Sequence, residues 1–145
     1  MSKEKIIFVC IHNSARSQMA EAFMKKECSD YFDVFSAGLE PGKLNPDVVQ
    51  VMNEIGIDIS KNQTKSINDF INEQYEFSYV VTVCDETSAE RCPVFPGNSK
   101  RLHWGFEDPS SLKGDKSEIL AHTRKIRNQI EMKIKEFCEE ICCIL

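Results

Sequence analysis

The first hydrophobic run, Lys5-Ile6-Ile7-Phe8-Val9, is short, β-branched and aromatic, and it stops at Cys10. After Ile11-His12-Asn13-Ser14-Ala15-Arg16-Ser17, apolar residues recur at helical spacing as Met19, Ala20, Ala22, Phe23 and Met24, so the order is strand, loop, helix. The alternation repeats downstream. Asp33 to Ala37 reads as a strand ending at Gly38, and Asn45-Pro46 opens a helix with an N-cap and an N1 proline. Val48, Val49, Met52 and Ile55 form that helix's apolar stripe and Gly56 its stop. Between Ile57 and Gln74 the pattern supports a turn and a short helix around Ile67 to Ile71. Tyr79-Val80-Val81-Thr82-Val83 is the strongest strand in the chain and ends on Cys84, while Lys100 to His103 is a fourth strand that runs into Trp104 to Pro109. Asp115 with Glu118 resembles a capping box, and Ile119, Thr123, Ile126, Ile130, Ile134, Phe137 and Ile141 then keep a 3.6-residue period over a long terminal helix.

Strands alternating with helices predict an α/β fold, a parallel sheet with helices on both faces. Such sheets bind ligands beyond the carboxyl ends of their strands, where the strand order reverses. Cys10, Cys84 and Asp108 all stand at or shortly after predicted strand ends, so they are expected to converge on one edge. A length of 145 residues predicts a single domain, 1–145. With 41% hydrophobic and 28% charged residues the composition is globular, neither disordered nor fibrous. The net charge of −5 repels nucleic acid, so a bound anion has to be held by local donors. The run Ile6 to Ile11 is too short for a membrane span or a signal peptide. Cys142-Cys143-Ile144-Leu145 has the form of a prenylation box but no polybasic segment beside it. The expectation is a cytoplasmic protein that contacts neither membrane nor nucleic acid. Its seven cysteines, odd in number and without a secretion signal, do not read as a disulfide framework but as buried filler, metal ligands or reagents.

The loop from Cys10 to Ser17 carries the first candidate chemistry. A loop that opens a helix presents unpaired N–H groups and the positive end of the helix dipole to a tetrahedral oxyanion, and Arg16 adds a planar fork of donors. The same field stabilises a thiolate, which makes Cys10 a nucleophile facing the anion. The plainer reading is a buried cysteine at a strand end beside a surface arginine. Cys84 and Cys92, with seven residues between them, match neither zinc nor thioredoxin spacing, and their sulfurs meet only if the polar stretch between them rearranges. Inert cysteines are the alternative there. Asp108 is either a general acid for an oxygen leaving group or a turn residue before Pro109. His12 and His103 have no acid or base partner by spacing and read as satisfied polar positions. Cys138 and Cys142, four apart on the last helix, suit a soft metal or plain packing, and no metal site is expected. Gly38 to Lys43 fails as a Walker loop, and there is no G-x-G-x-x-G, so a bound dinucleotide is not the source of electrons.

From Cys10 through Ser17-Gln18-Met19-Ala20-Glu21 the chain resembles the arsenate reductases that share the low-molecular-weight protein tyrosine phosphatase fold. Ser36-Ala37-Gly38, Asn45-Pro46, Ile57-Asp58-Ile59-Ser60, Val81-Thr82-Val83-Cys84, Cys92-Pro93 and His103 to Pro109 agree in the family's order, from about residue 5 to 137. The resemblance implies a three-layer α/β/α fold whose four-stranded parallel sheet has flavodoxin-like order, with a phosphate-binding loop after the first strand. It also implies a relay. Cys10 attacks arsenate held by the loop amides and Arg16 while Asp108 assists the departing oxygen, Cys84 then attacks Cys10 and releases arsenite, and Cys92 attacks Cys84. The final disulfide passes to thioredoxin, with no tightly bound cofactor and a monomeric enzyme; phosphate and sulfate are analogues of the substrate. Asn13 and Ser17 are expected to hydrogen-bond Cys10 or shape its loop. A low-molecular-weight tyrosine phosphatase using Cys10, Arg16 and Asp108 is the alternative, although Asp108-Pro109-Ser110 lacks the tyrosines that commonly follow this aspartate there. The chain departs from many relatives by His12 and Ala15 in place of Gly and Cys, and by a one-residue shift between Ser60 and Ile67. That shift touches a cation site that some relatives build from Asn13, Glu21, Ser36 and an acidic residue. The cysteines at 138, 142 and 143 have no counterpart in the pattern.

Overall fold

A computed structural model describes residues 3–84 and 97–144, with side chains through residue 141. Its strands are β1 (Glu4–Cys10), β2 (Phe32–Gly38), β3 (Tyr79–Thr82) and β4 (Lys100–His103). The helices are α1 (Arg16–Cys28), α2 (Pro46–Asn53), α3 (Ile67–Asn72) and α4 (Lys116–Ile144), with a 3₁₀ turn at Pro109–Ser111. The sheet is parallel throughout, in the order β2-β1-β3-β4. This is the expected flavodoxin-like order, and its reversal point lies between β1 and β3.

The central strand β1 is buried from Ile6 to Cys10 because both of its faces are covered. Ile6, Phe8 and Cys10 point into a core shared with α1, α2 and α4, whereas Ile7 and Val9 join Val80, Ala37, Ile67, Phe70 and Phe77 on the α3 side. Helices therefore lie on both faces of the sheet, as the continuous apolar runs required.

Local signals set the element ends well. Asn45 caps α2 by accepting from the amides of Asp47 and Val48, Ser66 caps α3, and Gly56 takes a φ of 81° just past α2. β3 stops at Thr82, one residue short of the apolar run, and α4 continues to Ile144. Among the described residues no helix is long and apolar enough to cross a membrane.

One expectation is corrected by the structure. Cys28 and Cys138, two of the seven cysteines that did not read as a disulfide framework, form a disulfide between α1 and α4, with Cα atoms 6.3 Å apart. Spacing along the chain related Cys138 only to Cys142, whereas helix packing brings it to a residue 110 positions away.

Candidate active site

The loop from Cys10 to Ser17 leaves the end of β1 and turns into α1 beside the C-terminal end of β2. Its carbonyls are drawn outward: those of Cys10, Ile11, His12 and Ser14 accept from the backbone N–H groups of Leu39, Glu40, Gly42 and Asn45, respectively. Gly38 is the contact that makes this close approach possible. A Cβ at Gly38 would stand 2.7 Å from the Asn13 nitrogen and 2.8 Å from the His12 carbon and the Ile11 oxygen. These are backbone atoms that cannot swing away. Asn13 takes a φ of 53°, a left-handed conformation that Asn tolerates better than most residues.

Unlike α2 and α3, α1 has no side-chain cap: Ala15 occupies the N-cap position, and no acidic residue stands in the first turn. Its first amides and its dipole are left for an external anion.

Cys10 sits at the centre of this loop, 3% exposed, and is a free thiol. Its Sγ lies 2.9 Å from Ser17 Oγ and accepts from the Asn13 amide at 3.2 Å. Asn13 Nδ2 donates both to Ser17 Oγ at 2.8 Å and to Ser36 Oγ at 2.9 Å, and Ser36 in turn donates to Glu21. Either atom of the Cys10–Ser17 pair can supply the proton; when Cys10 is ionised the Ser17 hydroxyl donates, and two donors then converge on the sulfur.

Glu21 is buried and faces two ammonium groups, Lys25 Nζ at 2.6 Å and Lys65 Nζ at 3.8 Å. Lys65 lies in the segment where the family pattern shifts by one residue. Gln18, fully buried, donates to Asn13 O, Asn13 Oδ1 and Gln63 O, each at 3.1 Å, and so clamps the loop to the segment before α3.

Arg16 is 4% exposed, yet it is reached from the far end of the chain. Nη1 donates to Phe106 O at 3.1 Å, and Nη2 lies 3.6 Å from Asp108 Oδ2. Among the described residues, Arg16 Nε is the buried side-chain nitrogen or oxygen with no hydrogen-bond partner. A buried donor left unpaired costs about 1–3 kcal/mol unless a ligand completes it. Asp108 takes the turn position before Pro109 that the sequence suggested, and it also faces Arg16. Oδ1 accepts from Ser110 N at 2.9 Å and caps the 3₁₀ turn, while Oδ2 is turned to Arg16. Trp104 holds this segment down by packing on Phe8 and Phe137, and Glu107 pairs with His122 of α4 at 2.6 Å.

Cys84 follows β3 on the strand next to Cys10. Val9 registers with Thr82, so the ends of β1 and β3 that precede the two cysteines lie side by side, and Cys84 Sγ lies 4.0 Å from Val9 O. Cys84 is fully buried and disulfide-bonded. Cys92 lies outside the described residues. The two histidines have polar partners rather than catalytic ones: His12 Nδ1 meets Glu40 O at 2.8 Å, and His103 Nδ1 meets Thr82 Oγ1 at 2.6 Å.

Sequence reasoning gave no individual role to Gln18, Lys65 or the Phe106 carbonyl, and it named Ser36 only in the family pattern and in a cation site of some relatives. Buried polar residues on α1 look like a solvent face in sequence, and a backbone carbonyl leaves no trace there.

A buried free cysteine under a helix N-terminus, with a buried arginine and an aspartate from a later strand end beside it, is an arrangement suited to tetrahedral oxyanions. The chain belongs to the low molecular weight phosphotyrosine protein phosphatase family, which it matches over residues 5–142, among that family's arsenate reductases. It is 45% identical over 140 residues to an arsenate reductase of Shouchella clausii, covering 96% of this chain and 98% of the relative. The crystal structure of arsenate reductase from Archaeoglobus fulgidus superposes with a TM-score of 0.75 at 27% identity, over 92% of this chain and 98% of that one. The thioredoxin-dependent arsenate reductase of Corynebacterium glutamicum has a TM-score of 0.71 at 28% identity, over 99% of this chain and 64% of that one.

Proposed function

We infer that this protein reduces arsenate to arsenite through Cys10, Cys84 and Cys92 and returns to its reduced state through thioredoxin. The loop amides of Ile11 to Ser17 and the Arg16 guanidinium hold the arsenate oxygens. Cys10 sulfur attacks arsenic, and an oxygen leaves as water with a proton from Asp108 Oδ2. Cys84 thiolate then attacks Cys10 sulfur. The sulfur–arsenic bond pair stays on arsenic, which becomes trivalent and leaves, and a Cys10–Cys84 disulfide remains. Attack by Cys92 on Cys84 expels Cys10 as a thiolate, and thioredoxin reduces the Cys84–Cys92 disulfide. Each exchange carries the same two electrons, so no bound redox cofactor is required. We place this cycle in the cytoplasm, where thioredoxin is reduced, and in a monomer.

The observation that carries this reading over simple phosphoryl transfer is the state of the two cysteines. Cys10 is free while Cys84 is held in a disulfide, which is the distribution the relay leaves once Cys10 has been expelled from its bond to Cys84. A tyrosine phosphatase would use Cys10, Arg16 and Asp108 in the same positions but would have no use for a reactive Cys84.

The deciding experiment measures NADPH oxidation by the protein with thioredoxin and thioredoxin reductase, before and after arsenate is added. Arsenate-dependent oxidation is expected. Its absence, where a control reductase works and this protein hydrolyses an aryl phosphate, would replace the reductase with the phosphatase.

A further inference from the structure

We propose that Cys28 and Cys138 are a second redox site, separate from the catalytic cysteines, where a small disulfide oxidant staples α4 to α1. Both sulfurs are buried in the seam between the two helices, with Cys28 1% and Cys138 7% exposed. They are joined in the structure, and their Cα separation of 6.3 Å is one that a disulfide spans without backbone movement. Their neighbours are apolar or soft: Phe32, Ile134 and Phe137 share the core with them, and Met24 Sδ lies 3.7 Å from Cys138 Sγ.

The site is out of reach of the nucleophile. Cys28 ends the helix that Arg16 begins, so the pair lies about 18 Å along α1 from the oxyanion loop and exchanges no bond with Cys10. Burial also keeps it from the surface of a protein reductant. A small disulfide, RSSR, enters when the last turns of α4 lift, as helix ends do. One thiolate attacks RSSR and expels RS⁻; the second attacks the mixed disulfide and expels the other RS⁻. Two electrons pass from the cysteine pair to RSSR, leaving the Cys28–Cys138 bond and two equivalents of RSH.

Once closed, the link pins the C-terminal part of α4 to the end of the helix that presents Arg16 and Ser17. It closes a sequence separation of 110 residues, the range in which a crosslink restricts the unfolded chain most.

The test uses the full chain with Cys10→Ser, Cys84→Ser and Cys92→Ser, so that no catalytic disulfide forms, alone and with Cys28→Ala or Cys138→Ala added. Each protein is equilibrated with oxidised glutathione or with excess dithiothreitol. It is then melted, and after alkylation in denaturant it is mapped by peptide fragmentation. The expected result is a Cys28–Cys138 linked peptide and a Tm raised by about 10 °C on oxidation, both lost in either alanine variant. The dithiothreitol-treated melts show that the alanine variants fold. No link, a link from Cys28 to Cys142 instead, or an equal rise in Tm in the alanine variants would overturn the proposal. None of these readouts involves arsenate, so they stand or fall independently of the reductase reading.

Discussion

Gly38 illustrates how a single missing methyl group shapes this site. Any Cβ there would collide with the backbone of Ile11, His12 and Asn13, and the loop would have to move away from β2, taking the amides and the Cys10 sulfur with it. Gly38→Ala is expected to lower kcat/KM for arsenate by at least about tenfold, because displacements near 1 Å in a positioned site cost this much or more. Steady-state kinetics beside a melting curve checks it. A variant that melts lower with unchanged kinetics would show that the loop reseats. At this scale the sequence was informative about residues close together in the chain: Cys10, Asn13, Arg16 and Ser17 share one loop and were legible as a group. The contacts of Gln18 and Glu21 were not legible, although both residues stand in the family segment. Their polarity marks a solvent face in any periodicity argument, whereas here the loop and the segment before α3 bury them against Asn13, Ser36 and Lys65.

Among the elements, α2 and α4 are joined by charge at the surface and by packing beneath it. Glu54, just past α2, takes a two-pronged contact from Arg124, whose Nη2 lies 2.7 Å away, and Arg127 Nη1 reaches both Glu54 at 3.2 Å and the Val51 carbonyl at 2.8 Å. Hydrogen bonding from Arg124, with its charge and that of Arg127 assisting, holds the Glu54 carboxyl below the usual carboxylate range. A carboxylate depressed in the folded state stabilises the fold above its unfolded pKa and loses that contribution as the pH falls through the folded value. The urea midpoint of the wild type should therefore exceed that of Glu54→Gln at pH 7, with the difference shrinking in acid as the pH falls below the ordinary glutamate value of 4.5. An equal difference at pH 7 and in acid would assign the effect to packing. The group is exposed, so the change is small. Element types and the ends of α2 were legible in the sequence because they depend on neighbouring residues: Asn45-Pro46 at its start and Gly56 beyond its end; the Ser66 cap of α3 was not read there. The 3₁₀ turn at Pro109–Ser111 was not separated from the loop, since the capping contact from Asp108 that closes it is also how any aspartate in a turn behaves.

For the molecule as a whole, the relay reading makes a sharp distinction between one turnover and many. Cys92→Ser retains Cys10, Arg16, Asp108 and Cys84 and should release about one arsenite per protein, then stop, with thioredoxin-coupled turnover reduced by about 100-fold or more. Rapid-quench measurement of arsenite against steady-state NADPH oxidation separates the two phases. Undiminished turnover would remove Cys92 from the cycle.

By itself the sequence determined the parts of this protein whose causes are local. Alternating strand and helix periods specify an α/β sheet and place Cys10 and Arg16 together on one strand-to-helix loop. The family pattern added the strand order and the distant partners as implications. Only the tertiary structure decided that Asp108 and the Phe106 carbonyl meet Arg16, that Lys65 faces Glu21, and that Cys28 bonds Cys138 rather than remaining a lone thiol. These contacts join residues far apart in the chain. Their existence depends on strand register and on how α1 and α4 share one buried face, which is settled by the summed burial of the whole core and leaves no periodic signal at the residues concerned.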